Sequence, residues 1–343
     1  MILPDCRFFL FGMGNRKKMI YKDSHLIDAL TGQVLNQWNA VSEKILPSAY
    51  CVRLTCANGE RVRIFENETG VYLEESGETT ILSESCLSLP SFAGYLHPDL
   101  LKILHHEVLV NVVDGKPVPN FFVYRRPWLR DSAMMCMVLE HTGNLHLVKD
   151  WILSLTEPFD RNNAGITEPD NLGETLFLVS LVSDLHHPVV GTVLERAKEF
   201  EKEDFIIGLS DFAEHPVYQT KWMKYGLKKL GLPDKYTIPK TYDSYSTLFW
   251  MDYRSEHVDG PLFDEFTSSL YPYLGWAEAH FLGRTHPDLP DAKSYPLTWE
   301  AEASQADYEA LKPFLPEYAQ RKISAPHTWH ASEMFLCLLE EKE

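Results

Sequence analysis

The sequence predicts a mainly α chain preceded by a small β-rich N-terminal module. Three observations predict it. From Arg7 to about Glu84, apolar residues alternate over short runs separated by glycine-bearing turns. From Pro98 onward the apolar period lengthens to that of helices. Several loops between those helices place polar and aromatic residues directly before an apolar run, so functional groups gather at helix starts. The division expected from this is a β-rich module over 1–95 and a helical domain over 96–343.

In the module, Phe8-Phe9-Leu10-Phe11, Tyr50 to Thr55, Val62 to Phe65 and Val71 to Glu74 read as strands. Asn58-Gly59, Glu68-Thr69-Gly70 and Ser76-Gly77 supply the hairpin turns between them. Gly12-Met13-Gly14 lacks the third glycine of a dinucleotide fingerprint and reads as a turn. His97-Pro98-Asp99 then opens a helix to about Val113, with proline in the first turn and Gly115 beyond the end. Further helices are expected over Asp131–His141, Leu145–Leu155, Leu172–Leu185, Val189–Glu201, Tyr218–Leu230, Leu262–Phe281, Ala303–Leu311 and Trp329–Glu340. No sequence repeat of fixed period indicates a solenoid.

Composition excludes several function classes. Acidic residues number 49 against 32 basic, a formal net charge of −17 that offers no excess of cations to a nucleic-acid backbone or an anionic membrane surface. No run of 18 apolar residues marks a membrane-spanning helix. Met1 to Arg7 carries an acid and a proline where a signal peptide needs a basic flank and an apolar core, so a cytoplasmic address is expected. Six cysteines without CxxC spacing read as free, mostly buried thiols.

The chain is organised around Tyr124-Arg125-Arg126-Pro127-Trp128-Leu129-Arg130-Asp131-Ser132. Asp131 and Ser132 suit the N-cap of the helix that follows, which is apolar on nearly all sides and therefore expected to be buried. Arg126, Trp128, Arg130 and Asp131 at its mouth suit a polyhydroxylated ligand. An indole stacks on a sugar ring, guanidinium groups donate forked hydrogen bonds, and a carboxylate accepts from hydroxyls. The competing reading has Arg130 and Asp131 only capping and pairing at a helix start.

Two acidic clusters follow. In Glu168-Pro169-Asp170-Asn171-Leu172-Gly173-Glu174, Asp170 or Asn171 can cap a helix, leaving Glu168 and Glu174 freer to face a ligand. In Trp299-Glu300-Ala301-Glu302-Ala303, two carboxylates flank small residues beside an indole, a setting that raises a carboxyl pKa. A general acid or base is expected at Glu300 or Glu302. Pro326-His327-Thr328-Trp329-His330 opens the last helix, with His327 and Trp329 at its mouth. His327 and His330 lack a third ligand at a recognisable spacing, so no metal or other cofactor is expected. His105-His106-Glu107 and His186-His187 read as helix-end or surface groups, and Tyr245, Trp250, Tyr253 and Trp276 as aromatic area, some of it a sugar subsite.

W-L-R-D, E-P-D-N, W-E-x-E and a terminal P-H-T-W-x-x-x-E, each opening an apolar helix after a β-containing start, resemble the six-hairpin (α/α)-toroid glycosidases of the broad glucoamylase-like group. The resemblance implies a ring of helix hairpins and usually inverting cleavage by two carboxyl groups ~6.5–9.5 Å apart. Carried over, Asp131 would anchor a sugar hydroxyl beside Arg130 and Trp128, and one of Glu168 and Glu174 would pair with one of Glu300 and Glu302. The substrate would be a small carbohydrate, with no nucleic acid or membrane as partner. Epimerases and isomerases built on such a toroid move protons through histidines, which would make His327 and His330 essential. A non-catalytic carbohydrate-binding protein is the third reading.

Overall fold

The computed structural model describes residues 3–161, 165–210, 213–241 and 289–342. The helix expected over Leu262–Phe281 and the aromatic positions Tyr245, Trp250, Tyr253 and Trp276 lie outside them. Contacts divide the chain into two compact units. One comprises Pro127–Cys136 and Val148–Leu289, the other Ile2–Arg126, Met137–Leu147 and Pro290–Glu343.

The N-terminal part of the second unit is two antiparallel sheets. Strands β1 (Phe8–Phe11), β2 (Met19–Lys22), β3 (His25–Asp28) and β4 (Val34–Gln37) form one, and β5 (Ala40–Leu46), β6 (Cys51–Cys56), β7 (Arg61–Glu66), β8 (Gly70–Glu75) and β9 (Glu78–Glu84) the other. Each meanders in sequence order because its turns are short. Ser76 and Gly77 both take positive φ, 53° and 83°, which is what a two-residue hairpin between β8 and β9 demands. Alternate residues of β6, β7 and β8 (Val52, Leu54, Val62, Ile64, Val71, Leu73) meet Phe9, Phe11, Met19, Tyr21 and Leu26 of the other sheet in one apolar core, a sandwich-like packing. The outer strands β5 and β9 carry Glu43, Lys44, Glu78 and Glu84 exposed, which discourages edge pairing.

The other face of β1 is buried too. Phe8 there meets Tyr318 edge to face at 5.6 Å; on the core side His106 stacks on Phe9 at 4.7 Å while donating from Nε2 to the Leu10 carbonyl at 3.0 Å. His106 lies on α1 (Pro98–Leu109), which begins with the expected proline and packs against the C-terminal helix α8 (Thr328–Leu338). His105, His106 and Glu107, read from sequence as helix-end or surface groups, have no exposed surface.

The remaining helices are α2 (Leu129–His141), α3 (Lys149–Leu153), α4 (Asp170–Val182), α5 (Pro188–Ala197), α6 (Pro216–Lys229) and α7 (Pro316–Gln320). The unit division falls within α2. In the first unit α4 crosses α6 in backbone contact: a Cβ on Gly173 would stand 2.2 Å from the Trp222 carbonyl carbon, and one on Gly226 2.6 Å from the Gly173 oxygen. Glycine at both positions is what permits the approach.

The expected fold class is corrected by this architecture. Among the described residues the chain is mixed α/β, 32% helix and 23% strand, and not mainly α. Eight α-helices occur among the described residues, and they form no evident toroid of hairpins. Where a helix was expected over Ala303–Leu311 only the 3₁₀ turn Tyr308–Leu311 forms, and Leu145–Leu155 breaks into a 3₁₀ turn and the short α3. Outside the two sheets the strands are short two-stranded ladders: β10 (Val112–Val113) with β11 (Lys116–Pro117), β12 (Glu201–Lys202) with β13 (Phe205–Ile206), β14 (Leu209–Ser210) with β15 (Ala213–Glu214), and β16 (Glu300–Ala301) with β17 (Ile323–Ser324). No helix among the described residues is long and apolar enough to cross a membrane. None of the six cysteines forms a disulfide, and four of them are buried.

Candidate functional site

In the first unit the W-L-R-D and E-P-D-N stretches come together. Helix α2 starts at Leu129, earlier than expected, and the Leu129 N–H is satisfied by Asp160 Oδ2 at 2.8 Å. Arg130 and Asp131 therefore sit in the first helical turn, each only 3% exposed, beside a Trp128 that is 5% exposed. The Arg130 guanidinium donates from Nε to Asp170 Oδ2 at 2.9 Å and from Nη2 to Glu168 Oε2 at 3.3 Å. Asp170 Oδ1 accepts from Ser210 Oγ at 2.6 Å, and Ser210 accepts from Gln219 Nε2 at 2.9 Å.

Glu174, one helical turn after Asp170, is fully buried. It accepts from Asn171 Nδ2 at 3.0 Å and from the Tyr218 hydroxyl at 3.5 Å. Burial, reinforced by the Asp170 charge, pushes its carboxyl well above the usual range despite Arg130. Among the described residues the cluster is a buried polar network that ties α2, α4 and α6 together.

The second unit holds Arg126, Trp299, Glu300, Glu302, His327 and Trp329. The β16–β17 ladder pairs Glu300 with Ser324 and so lays Trp299-Glu300 beside the entrance to α8. His327 is the extended residue just before α8. Thr298 fixes the junction: its hydroxyl lies 2.6 Å from Glu107 Oε2 and 3.2 Å from the His327 carbonyl, and accepts from the His327 N–H at 3.3 Å. Glu107 Oε1 also receives the Leu297 N–H at 2.5 Å. Burial holds the Glu107 carboxyl up at about 8.

One turn into α8, His330 Nε2 donates to Glu300 Oε2. The His330 side chain is 10% exposed and that of Glu300 28%, so Glu300 is the more open member. The His327 and His330 rings lie 5.5 Å apart, and donor atoms of Glu300, His327 and His330 all fall within 4.8 Å of one another. Burial lowers both imidazoles to about 3, which keeps them neutral near pH 7. His327 Nδ1 and Trp299 Nε1 are buried without hydrogen-bond partners. Tyr124 meets the His327 ring edge to face at 6.4 Å and donates to the Ser304 carbonyl at 2.7 Å.

Trp299 and Trp329 are half-buried, and Arg126 and Glu302 are exposed. Glu302 takes φ of 52° and gives its N–H to the Lys322 carbonyl at 2.8 Å. Between the two carboxylates of W-E-x-E, Glu300 is thus the one joined to histidine. The sequence reading missed the third member beside His327 and His330 because it lies in a separate segment. It gave no site role to Glu107, Thr298 or Tyr124. The H-H-E run on an otherwise apolar helix face was the available signal for Glu107, and Tyr124 opens the organising stretch; nothing local marked Thr298.

The chain matches no protein-family model, no curated protein and no solved structure. The resemblance to the glucoamylase-like toroid glycosidases is thereby overturned, together with the mixed α/β architecture described above. The glycosidase and hydrolase assignments that rested on it fall with it.

Proposed function

We propose that the chain is a carbohydrate-active enzyme that moves a proton to or from a bound sugar at Glu300, His330 and His327, as epimerases and isomerases do. The carrying observation is the Glu300–His330 hydrogen bond with a second imidazole 5.5 Å away. Such reactions need a group that exchanges a proton with a carbon or hydroxyl, backed by a partner that stabilises each charge state. Glu300 is the more exposed member and takes the exchanging part, with His330 behind it. Trp299 and Trp329 suit the apolar face of a sugar ring, and the unpartnered Trp299 N–H suits a hydroxyl.

The substrate is a small-molecule carbohydrate, and the net charge of −17 speaks against nucleic acid. A cytoplasmic address is part of the same reading, supported by six cysteines of which none forms a disulfide.

The test is solvent exchange. Free aldoses, ketoses and their phosphates are incubated with protein in D2O, and deuterium at carbon is read by NMR. Wild type is expected to label one sugar, with Glu300→Gln and His330→Gln slowed ~10²–10⁴-fold. Absence of labelling on every sugar, with or without release of reducing sugar from glycosides, overturns the reading.

A further inference from the structure

We infer that Glu300, His327 and His330 form a binding site for a divalent first-row transition ion, with Zn²⁺ the best fit. Two imidazoles and one carboxylate are the donor set that suits such ions, whereas all-oxygen sites suit Mg²⁺ and Ca²⁺ and thiolates suit Cu⁺. The three donors come from two braced segments. Glu300 is on the β16–β17 ladder, and His327 and His330 open α8, with Thr298 joining the two through Glu107 and the His327 backbone.

Two observations beyond the grouping point to an ion. His327 Nδ1 is buried with no hydrogen-bond partner, a polar atom whose natural satisfaction is a ligand. On the far side of the His330 ring, Nδ1 stands 3.9 Å from Glu333 Oε2, beyond direct hydrogen-bond distance but on the side where a carboxylate behind a ligating imidazole belongs. Ligation would then use His330 Nε2, the atom that faces Glu300 Oε2. With zinc–ligand bonds of about 2.0–2.2 Å, the widest donor pair must close from 4.8 Å to about 3.3 Å, within reach of side-chain rotation.

Three protein ligands leave a tetrahedral ion one position for water or a substrate oxygen. The inference rests on the proposed site but not on its substrate. An ion held there would polarise a sugar oxygen by coordination and would stand in for the Glu300–His330 hydrogen bond as the partner that stabilises the developing charge.

The experiment is titration of chelator-treated protein with ZnCl2 alone, by calorimetry and by thermal shift. Glu300→Gln, His327→Gln and His330→Gln are compared with His146→Gln and His186→Gln on the surface. Wild type and both surface variants are expected to bind one ion per chain, and each ligand variant to bind at least ~100-fold more weakly. The wild-type Co²⁺ spectrum, independent of any variant's folding, is expected to show a four-coordinate nitrogen and oxygen set.

A wild type that binds no zinc, binding unchanged in the three ligand variants, or a thiolate charge-transfer band overturns the inference. The sugar reading is scored separately. Deuterium exchange by the metal-free protein without zinc binding leaves that reading standing and removes the metal. Zinc binding without exchange does the reverse.

Discussion

Thr298 Oγ1 lies 2.6 Å from Glu107 Oε2, and that contact ties the middle of the N-terminal half to the segment bearing Trp299 and Glu300. Glu107 is fully buried on α1, and burial holds its carboxyl up at about 8 against 4.5 for the free group. Between those values the folded state keeps a proton that the unfolded chain has lost, so this group's contribution to stability falls as pH rises from about 4.5 to 8. The slope from this group is at most ~1.4 kcal/mol per pH unit. His105, His106, His327 and His330, lowered to about 3 by burial, raise stability with pH up to about 6.5 in any variant, so the check is a difference: the denaturant midpoint of wild type minus that of Glu107→Gln should fall as pH rises from about 4.5 to 8.

The α4–α6 crossing makes a paired prediction. Ala at Gly173 would press its Cβ to 2.2 Å from the Trp222 carbonyl carbon and 2.4 Å from the Met223 nitrogen, both backbone atoms unable to yield separately. Gly173→Ala should cost ~3 kcal/mol or more. Gly191, within α5, has nothing within 4 Å of its added Cβ. Gly191→Ala should therefore stabilise by ~0.5–1 kcal/mol through helix propensity. Thermal unfolding of the two variants checks both signs.

Arg130 is the cation at the centre of a buried acidic set. Arg130→Ala would leave Glu168 and Asp170, which are 2% and 0% exposed, without its charge. A loss of ~3–5 kcal/mol is expected. Because the set is shielded from solvent, raising the salt concentration should change the loss little, and urea midpoints at two ionic strengths test this.

The β8–β9 hairpin depends on Gly77, at φ 83°, more than on any contact its side would make. Gly77→Ala should cost ~1–2 kcal/mol because the left-handed conformation brings Cβ against the following carbonyl. Gly94, also at positive φ with nothing near its added Cβ, should respond alike, so the pair separates backbone strain from packing in thermal melts.

Local order was legible in the sequence because periodicity is a property of neighbours. Alternation marked β1, β6, β7 and β8 almost to the residue. Pro98 opens α1 as expected, α5 and α6 begin one and two residues ahead of the expected Val189 and Tyr218, at Pro188 and Pro216, and the apolar run after Ser132 is the buried α2. Strands β2 to β5 and β9 went unseen, being four-residue segments or, in β5 and β9, exposed edges without apolar alternation.

The tertiary structure alone decided the fold class and which functional groups meet. Four motif-bearing loops looked equivalent in sequence, yet W-L-R-D joins E-P-D-N in one unit, while W-E-A-E joins P-H-T-W in the other. The physical reason is that the pairing of Glu300 with Ser324, and hence with the mouth of α8, is set by a ladder between distant segments. The same holds for His106 against Phe9, where a histidine that reads as surface is buried because a strand nearly a hundred residues earlier, at Phe9 and Leu10, covers it. Helical and strand periods say which face of an element is apolar; they carry no record of what lies against it.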